Sequence, residues 1–303
     1  MSDGTFRPVL PIPSPYAHHV RSPVLITRRS EVITIETFLL CRTNVLVSAM
    51  TTQKHNTVRT SQTTFEVIES LQALDGAGVT EVANRIGVSK STVYKHLNSL
   101  VENGYVIKEG DVYRIGLRFL DLGEHARHRS LLYKLARSEI EELANAVNEM
   151  ANLMVEENGE GVFLFRADSD RAVNLDTRAG KRMQLHTTAL GKAIMAHLPE
   201  ERLEWIIDTY GLSRVTENTI TDEATLREEL HRIRERGVAF DDEERIAGLR
   251  CVAAPIVTTE DEVLGAISAS GPTSRIRGDR FREEIPEHVL RTKNIIELNV
   301  EYH

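Results

Sequence analysis

Residues 79–97, Val-Thr-Glu-Val-Ala-Asn-Arg-Ile-Gly-Val-Ser-Lys-Ser-Thr-Val-Tyr-Lys-His-Leu, constrain this chain more than any other stretch. Val82, Ile86, Val88, Val93 and Leu97 form an apolar seam with helical spacing. Ala83 is small enough for two helix axes to cross closely. Gly87 falls where the first helix must end, and only glycine enters a left-handed cap cheaply. Ser89 is placed to cap the second helix. The pattern predicts helix, tight turn, helix, with a second helix rich in short polar and basic side chains. That layout can lay its second helix in the major groove of a duplex.

The charge of the whole chain runs against such a role until it is divided. The net charge is −8, but residues 51–116 hold seven basic and seven acidic side chains. Residues 1–50 carry +2 and residues 117–303 carry −10. The helix-turn-helix stretch is thus relieved of the acidity, and local charge governs phosphate contact. Of the basic residues, 29 are Arg and 8 are Lys. An acidic, lysine-poor chain suits high ionic strength, where charge-based affinity is heavily screened.

The 303 residues suffice for two domains with separate cores. No apolar run approaches the roughly 18 residues of a membrane span. The closest, 38–47, is interrupted by Arg42 and Asn44. The N-terminus has no secretory layout. Two cysteines, Cys41 and Cys251, lack a CxxC spacing or a local histidine cluster. This argues against a disulfide scaffold or a zinc finger, and fits a reducing cytoplasm.

Along the chain, residues 1–60 read as an extension without regular structure, broken by Pro8, Pro11, Pro13, Pro15 and Pro23. Two readings stand for it: an over-long translation start with Met50 as the true first residue, or a short basic arm. Residues 61–116 read as a winged helix-turn-helix domain. Phe65, Ile68, Leu71 and Leu74 mark its first helix over 63–75, and the second helix of the motif runs to about Asn103. Tyr105–Lys108 and Val112–Ile115 flank Glu109-Gly110-Asp111 as a β-hairpin, the wing. A linker helix is expected over 117–130, with Leu117, Leu120 and Leu122 on one side.

From 131 to 303 the pattern is that of an α+β sensor-type domain. A long helix over 131–150 precedes strands at 151–156, 161–166 and 173–177. Helices follow at 188–197, 201–210 and 222–236. Strands at 238–240, 251–257 and 263–270 come next, the last two as an antiparallel hairpin. A final helix covers about 280–300, with Pro286 as its kink or its start.

Three groups of residues could carry chemistry. On the recognition helix and wing, Ser89, Lys90, Ser91, Thr92, Tyr94, Lys95, His96, Asn98, Lys108 and Arg114 are the candidates for DNA contact. Hydroxyls and ammonium groups suit phosphates, and Asn or Lys can read base edges. An exposed polar helix face or a partner-binding winged helix would look similar. In the second group, Leu185-His-Thr-Thr-Ala-Leu-Gly-Lys-Ala could hold a small carboxylate at a helix start capped by Thr187 or Thr188. An ordinary capped helix packed on a sheet fits equally. In the third, Ser268 and Ser270 point to one face of a strand and need partners, either a ligand or an internal group. Asp241 and Asp242 could orient a ligand or lie in solvent. Cys251 reads as a redox sensor or a buried thiol.

Taken together, the winged helix, Leu185-His-Thr-Thr-Ala-Leu-Gly-Lys-Ala193, Gly248-Leu-Arg-Cys-Val-Ala-Ala-Pro-Ile256 and Ser270-Gly-Pro-Thr-Ser-Arg275 resemble IclR-type transcriptional regulators from about Thr63 to the C-terminus. The resemblance implies a winged helix, a linker helix and a GAF-like effector-binding domain. It implies dimers or tetramers built through both domains, and genes switched by a small molecule. Carried over by motif, the effector pocket falls near Met183, Thr188, Ala189, Leu190, Asp241, Cys251, Ser268 and Ser270. Pro286 departs from the pattern.

The function expected is therefore operator binding controlled by a small organic or aromatic acid. No catalytic residue, metal ligand or cofactor is assigned. The rivals are an enzyme using Cys251 and His186 beside an appended DNA-binding domain, and a ligand-independent architectural DNA-binding protein. No glycine-rich phosphate loop, metal-ligand cluster or carboxylate pair supports the enzyme.

Overall fold

The computed structural model describes residues 58–172 and 177–303. The expected N-terminal extension lies outside these, apart from its last three residues.

Three helices and a hairpin come first: α1 (Arg59–Ala73), α2 (Val79–Ile86), α3 (Lys90–Glu102), β1 (Val106–Glu109) and β2 (Val112–Ile115). Their core joins Val67 and Leu71 of α1, Val82 and Ala83 of α2, and Val93, Leu97 and Leu100 of α3. Ile86 and Val88 of the expected seam are half-buried against it. Gly87 ends α2 in the left-handed region at φ 70°, and the Ser89 hydroxyl accepts from the Thr92 amide at 3.2 Å. The wing is antiparallel, Val106 to Ile115 through Glu109 to Val112, and turns at Gly110 with φ 62°. Ala77 and Tyr113 exchange backbone hydrogen bonds of 3.0 and 2.9 Å, which ties the α1–α2 turn to the base of the wing.

Helix α4 (Arg118–Arg129) follows, and α5 (Leu131–Val147) starts one residue later. Ser130 serves both: its amide donates to the Arg127 carbonyl and its hydroxyl accepts from the Tyr133 amide. The expected apolar side of α4 does not form. Leu120 and Leu122 are two residues apart on a helix, so they point in nearly opposite directions. Leu117, Leu120 and Leu122 are all exposed.

The remainder is a six-stranded antiparallel sheet ordered β5-β4-β3-β8-β7-β6. Its strands are β3 (Met150–Glu157), β4 (Glu160–Ala167), β5 (Arg182–Gln184), β6 (Ala239–Asp242), β7 (Leu249–Val257) and β8 (Val263–Pro272). The short strand β5 was not expected. The strand expected at 173–177 lies outside the described residues up to 176, and Thr177 is in no strand. Strand alternation sends two residue sets to opposite faces. Leu153, Val252, Ala254, Ile256, Ile267 and Ala269 pack on α5 and the last helix. Met154, Phe163, Ala239, Cys251, Ala253 and Ala266 pack on α6 (Ala189–Met195), α7 (Glu200–Tyr210) and α8 (Glu223–Arg236).

The last helix opens with a wide π turn at Arg280–Glu284 and continues as α9, Ile285–Glu301. Pro286 sits in the first turn of α9, directly after the π turn. The Ser270–Arg275 motif has a packing explanation. Arg275 donates to both oxygens of the buried Glu149 carboxylate, and a side chain at Gly271 would lie 2.4 Å from Glu149 Oε2.

Candidate nucleic-acid interface and ligand site

On α3 the core stripe Val93, Leu97 and Leu100 fixes which residues face outward. Ser91, Tyr94, Lys95 and Asn98 recur at i, i+3, i+4 and i+7, so they share a face turned away from that stripe. Lys90, Ser91, Tyr94 and Lys95 are exposed, while Thr92 and Asn98 are half-buried. At the helix start, Ser89 Oγ lies 2.9 Å from Ser91 Oγ and 2.8 Å from Thr92 Oγ1. These hydroxyls form one cluster beside Lys90.

Two of the expected contacts also have partners inside the domain. His96 lies three residues after Val93 and four before Leu100, on the core-facing edge. Its Nδ1 pairs with Thr64 Oγ1 of α1 at 2.8 Å. Arg114 is also committed: its Nε donates to Glu109 at 3.1 Å and its Nη1 to the Asp75 carbonyl. It locks the wing onto the α1–α2 turn. Lys108 stays on the wing, its ammonium 5.4 Å from the Tyr113 ring centroid.

The second candidate site occupies the sheet face under α6. Asp241, Cys251, Ser270 and Met150 are directly paired across β6, β7, β8 and β3, and so share one face. One step along the strands, Ala239, Ala253, Ser268 and Asn152 make a second row. Ser270 Oγ donates to Cys251 Sγ at 3.0 Å, and Asn152 Nδ2 donates to Ser268 Oγ at 3.4 Å. Of the carried-over residues, Asp241, Cys251, Ser268 and Ser270 thus lie together in the two rows. Thr188, Ala189 and Leu190 are buried at the start of α6, and Met183 is half-buried on β5.

At the start of α6, where a carboxylate cradle was expected, the Thr188 hydroxyl serves one of the helix's first amides. Thr188 Oγ1 accepts from the Gly191 amide at 2.9 Å, and the helix is only seven residues long. Gly191 is required there, because a Cβ would lie 2.0 Å from the Leu185 carbonyl oxygen.

Electrostatics follow burial. Asp241 is 3% exposed, and burial, reinforced by the nearby Glu244 carboxylate, pushes its carboxyl up to about 7. Its Oδ1 accepts from the Glu244 amide at 2.7 Å. Asp242 instead pairs with Arg250 at 2.7 Å. Burial, with Asp241 second, pushes the Cys251 thiol up to about 12. It is a protonated, buried thiol, the opposite of a reactive one. Burial lowers the His186 pKa, and its Nε2 donates to the Ser213 carbonyl at 3.0 Å.

Sequence reasoning missed the buried pair Lys192–Glu244, in which the ammonium meets both carboxylate oxygens. Lys192 is 1% exposed, in the middle of α6. A lone lysine inside Ala-Leu-Gly-Lys-Ala-Ile was the available signal, since a buried charge must be paired. The pair ties α6 to the segment that carries Asp241.

A winged helix joined through a helix to a sheet with a buried polar row defines the class of ligand-responsive transcriptional regulators. Comparison with known proteins gives the family. Residues 63–110 match the IclR helix-turn-helix domain, and residues 125–297 match the bacterial transcriptional regulator IclR C-terminal domain. A probable HTH-type transcriptional regulator ArcR of Halobacterium salinarum is 32% identical over 78% of this chain and 91% of its own. The crystal structure of the Thermotoga maritima IclR superposes with a TM-score of 0.67 at 27% identity, covering 80% of this chain and 98% of that one. The inducer-binding domain of the Acinetobacter PobR transcription factor, solved as a double mutant with 3-hydroxybenzoic acid, gives 0.50 at 25% identity, over 54% of this chain and 96% of its own. The chain belongs to the IclR family of DNA-binding transcriptional regulators.

Proposed function

We propose that this chain releases or engages its operator in response to a small organic or aromatic acid held on the Asp241–Cys251–Ser270 and Ser268 rows. The observation that carries this reading is a polar row on an otherwise apolar, buried sheet face, in a chain whose α3 presents exposed lysines and hydroxyls. The 3-hydroxybenzoic acid bound by the PobR domain supports an acid of this size. Residues 61–116 read the duplex, 117–130 connect, and 131–303 sense. The chain works as a homodimer or homotetramer in the cytoplasm, without a membrane. Among the described residues no helix is long and apolar enough to cross one. The ligand biases the placement of two winged helices by its differential affinity for the two arrangements.

Catalysis by Cys251 and His186 is the poorer reading, since the thiol is held protonated and the imidazole is engaged with Ser213. The test is footprinting of the purified chain on the DNA upstream of its own and adjacent genes, with and without an acid panel. Protected half-sites whose occupancy changes with one acid are expected. No protected site at native ionic strength overturns the reading. Protection indifferent to every acid leaves the architectural alternative.

A further inference from the structure

Strand β3 adds a residue to the ligand face that the motif-based site omits. Asn152 pairs with Ser268 on β8 and with Arg166 on β4. It is 2% exposed. Its Nδ2 reaches Ser268 Oγ only at 3.4 Å, at the long limit of a hydrogen bond, and its Oδ1 has no partner at all. A buried acceptor left unmade is costly, because its lost hydration is not replaced. The neighbouring polar groups are served internally: Ser270 by Cys251, and Thr177 by Arg166 and Met150. Of the described buried side-chain atoms without a partner, Asn152 Oδ1 is the one on these rows. An apolar β-former at 152 would fill the strand without the penalty, so packing alone does not explain an asparagine.

The geometry points to Asn152 as the residue that selects a hydroxylated acid, its Oδ1 accepting a hydrogen bond from the hydroxyl of the effector beside Ser268. This rests on the effector-site reading above.

The experiment is calorimetry on the full-length chain with two matched pairs, 3-hydroxybenzoate against benzoate and lactate against propanoate. The variants are Asn152→Val and Asn152→Ser, each checked for folding by circular dichroism. The native chain is expected to prefer the hydroxylated member of one pair by about tenfold or more. That preference should shrink to within roughly threefold in both variants, with the parent acid bound as before. An unchanged preference in a folded variant overturns the proposal. So does failure of both variants to fold, which would make Asn152 structural. Binding of acids with no hydroxyl preference overturns this inference and spares the effector site. Binding of none of the four overturns the acid reading and this inference with it.

Discussion

Ser268 is the side chain on which the ligand reading can be tested with least disturbance to the fold. It is fully buried, between the Asn152 amide at 3.4 Å and the Cys251 thiol. Ser268→Val replaces the hydroxyl with a β-branched apolar side chain that suits a strand. It should weaken effector response by about tenfold, on the order of one lost ligand hydrogen bond, while bare operator affinity holds. Titrating operator release by fluorescence anisotropy checks both at once. Asp241 makes a different prediction. Between an unfolded carboxyl near 3.9 and a folded one at about 7, the native chain keeps a proton that the unfolded chain has released. Its contribution to stability therefore declines as pH rises through that window and is level above it. Asp241→Asn should flatten the decline of the urea midpoint measured from about pH 5 to 8. Parallel slopes for the two proteins would show that another group holds the proton. These residues were legible in sequence as a motif, but their states were not. Burial sets the Asp241 proton and the Cys251 thiol, and burial depends on strands 10 to 30 residues apart pairing in register.

The element most open to a direct test is α3. Lys95 is exposed on the face shared with Ser91 and Tyr94. Lys95→Glu should lower operator affinity at least tenfold, reduce the salt slope of binding by about one, and leave acid binding intact. Gel shifts at several salt concentrations check this, and unaltered binding would take α3 out of the groove. The winged helix was readable to within a few residues, because Gly87, Ser89 and the apolar seam are local signals. The internal partners of its side chains were not readable. His96 looked polar and outward, yet it lies on the core edge of α3 and meets Thr64 across 32 residues. Arg114 looked like a phosphate clamp, but the Asp75 carbonyl that claims it is 39 residues away. Strand β5 has three residues and no alternation long enough to register as a pattern.

Across the whole molecule, apolar surface and charge are unevenly spread. Leu117 is 83% exposed and Leu120 59%. Phe65 of α1 is 63% exposed. Such side chains are consistent with burial in an oligomer. Leu120→Glu should lower the mass seen in sedimentation and weaken operator binding by the loss of paired half-sites, with the circular dichroism spectrum unchanged. An unaltered mass would place the contact elsewhere. The two-part architecture was legible from the change of pattern at about residue 131, and the charge divides the same way. Absent from any local pattern was how the parts are joined. Phe165 of β4 lies against Tyr133, and Tyr133 against Arg127 and His128 of α4. At the same junction Ser130 closes one helix and opens the next, with no loop between them. A joint one residue long leaves little chain to absorb a tilt of the sensor, more a crank than a tether. Lengthening α4 should then move the winged helix about 1.5 Å per added residue and turn it by roughly 100°, so only whole turns of about 5.4 Å would keep its facing.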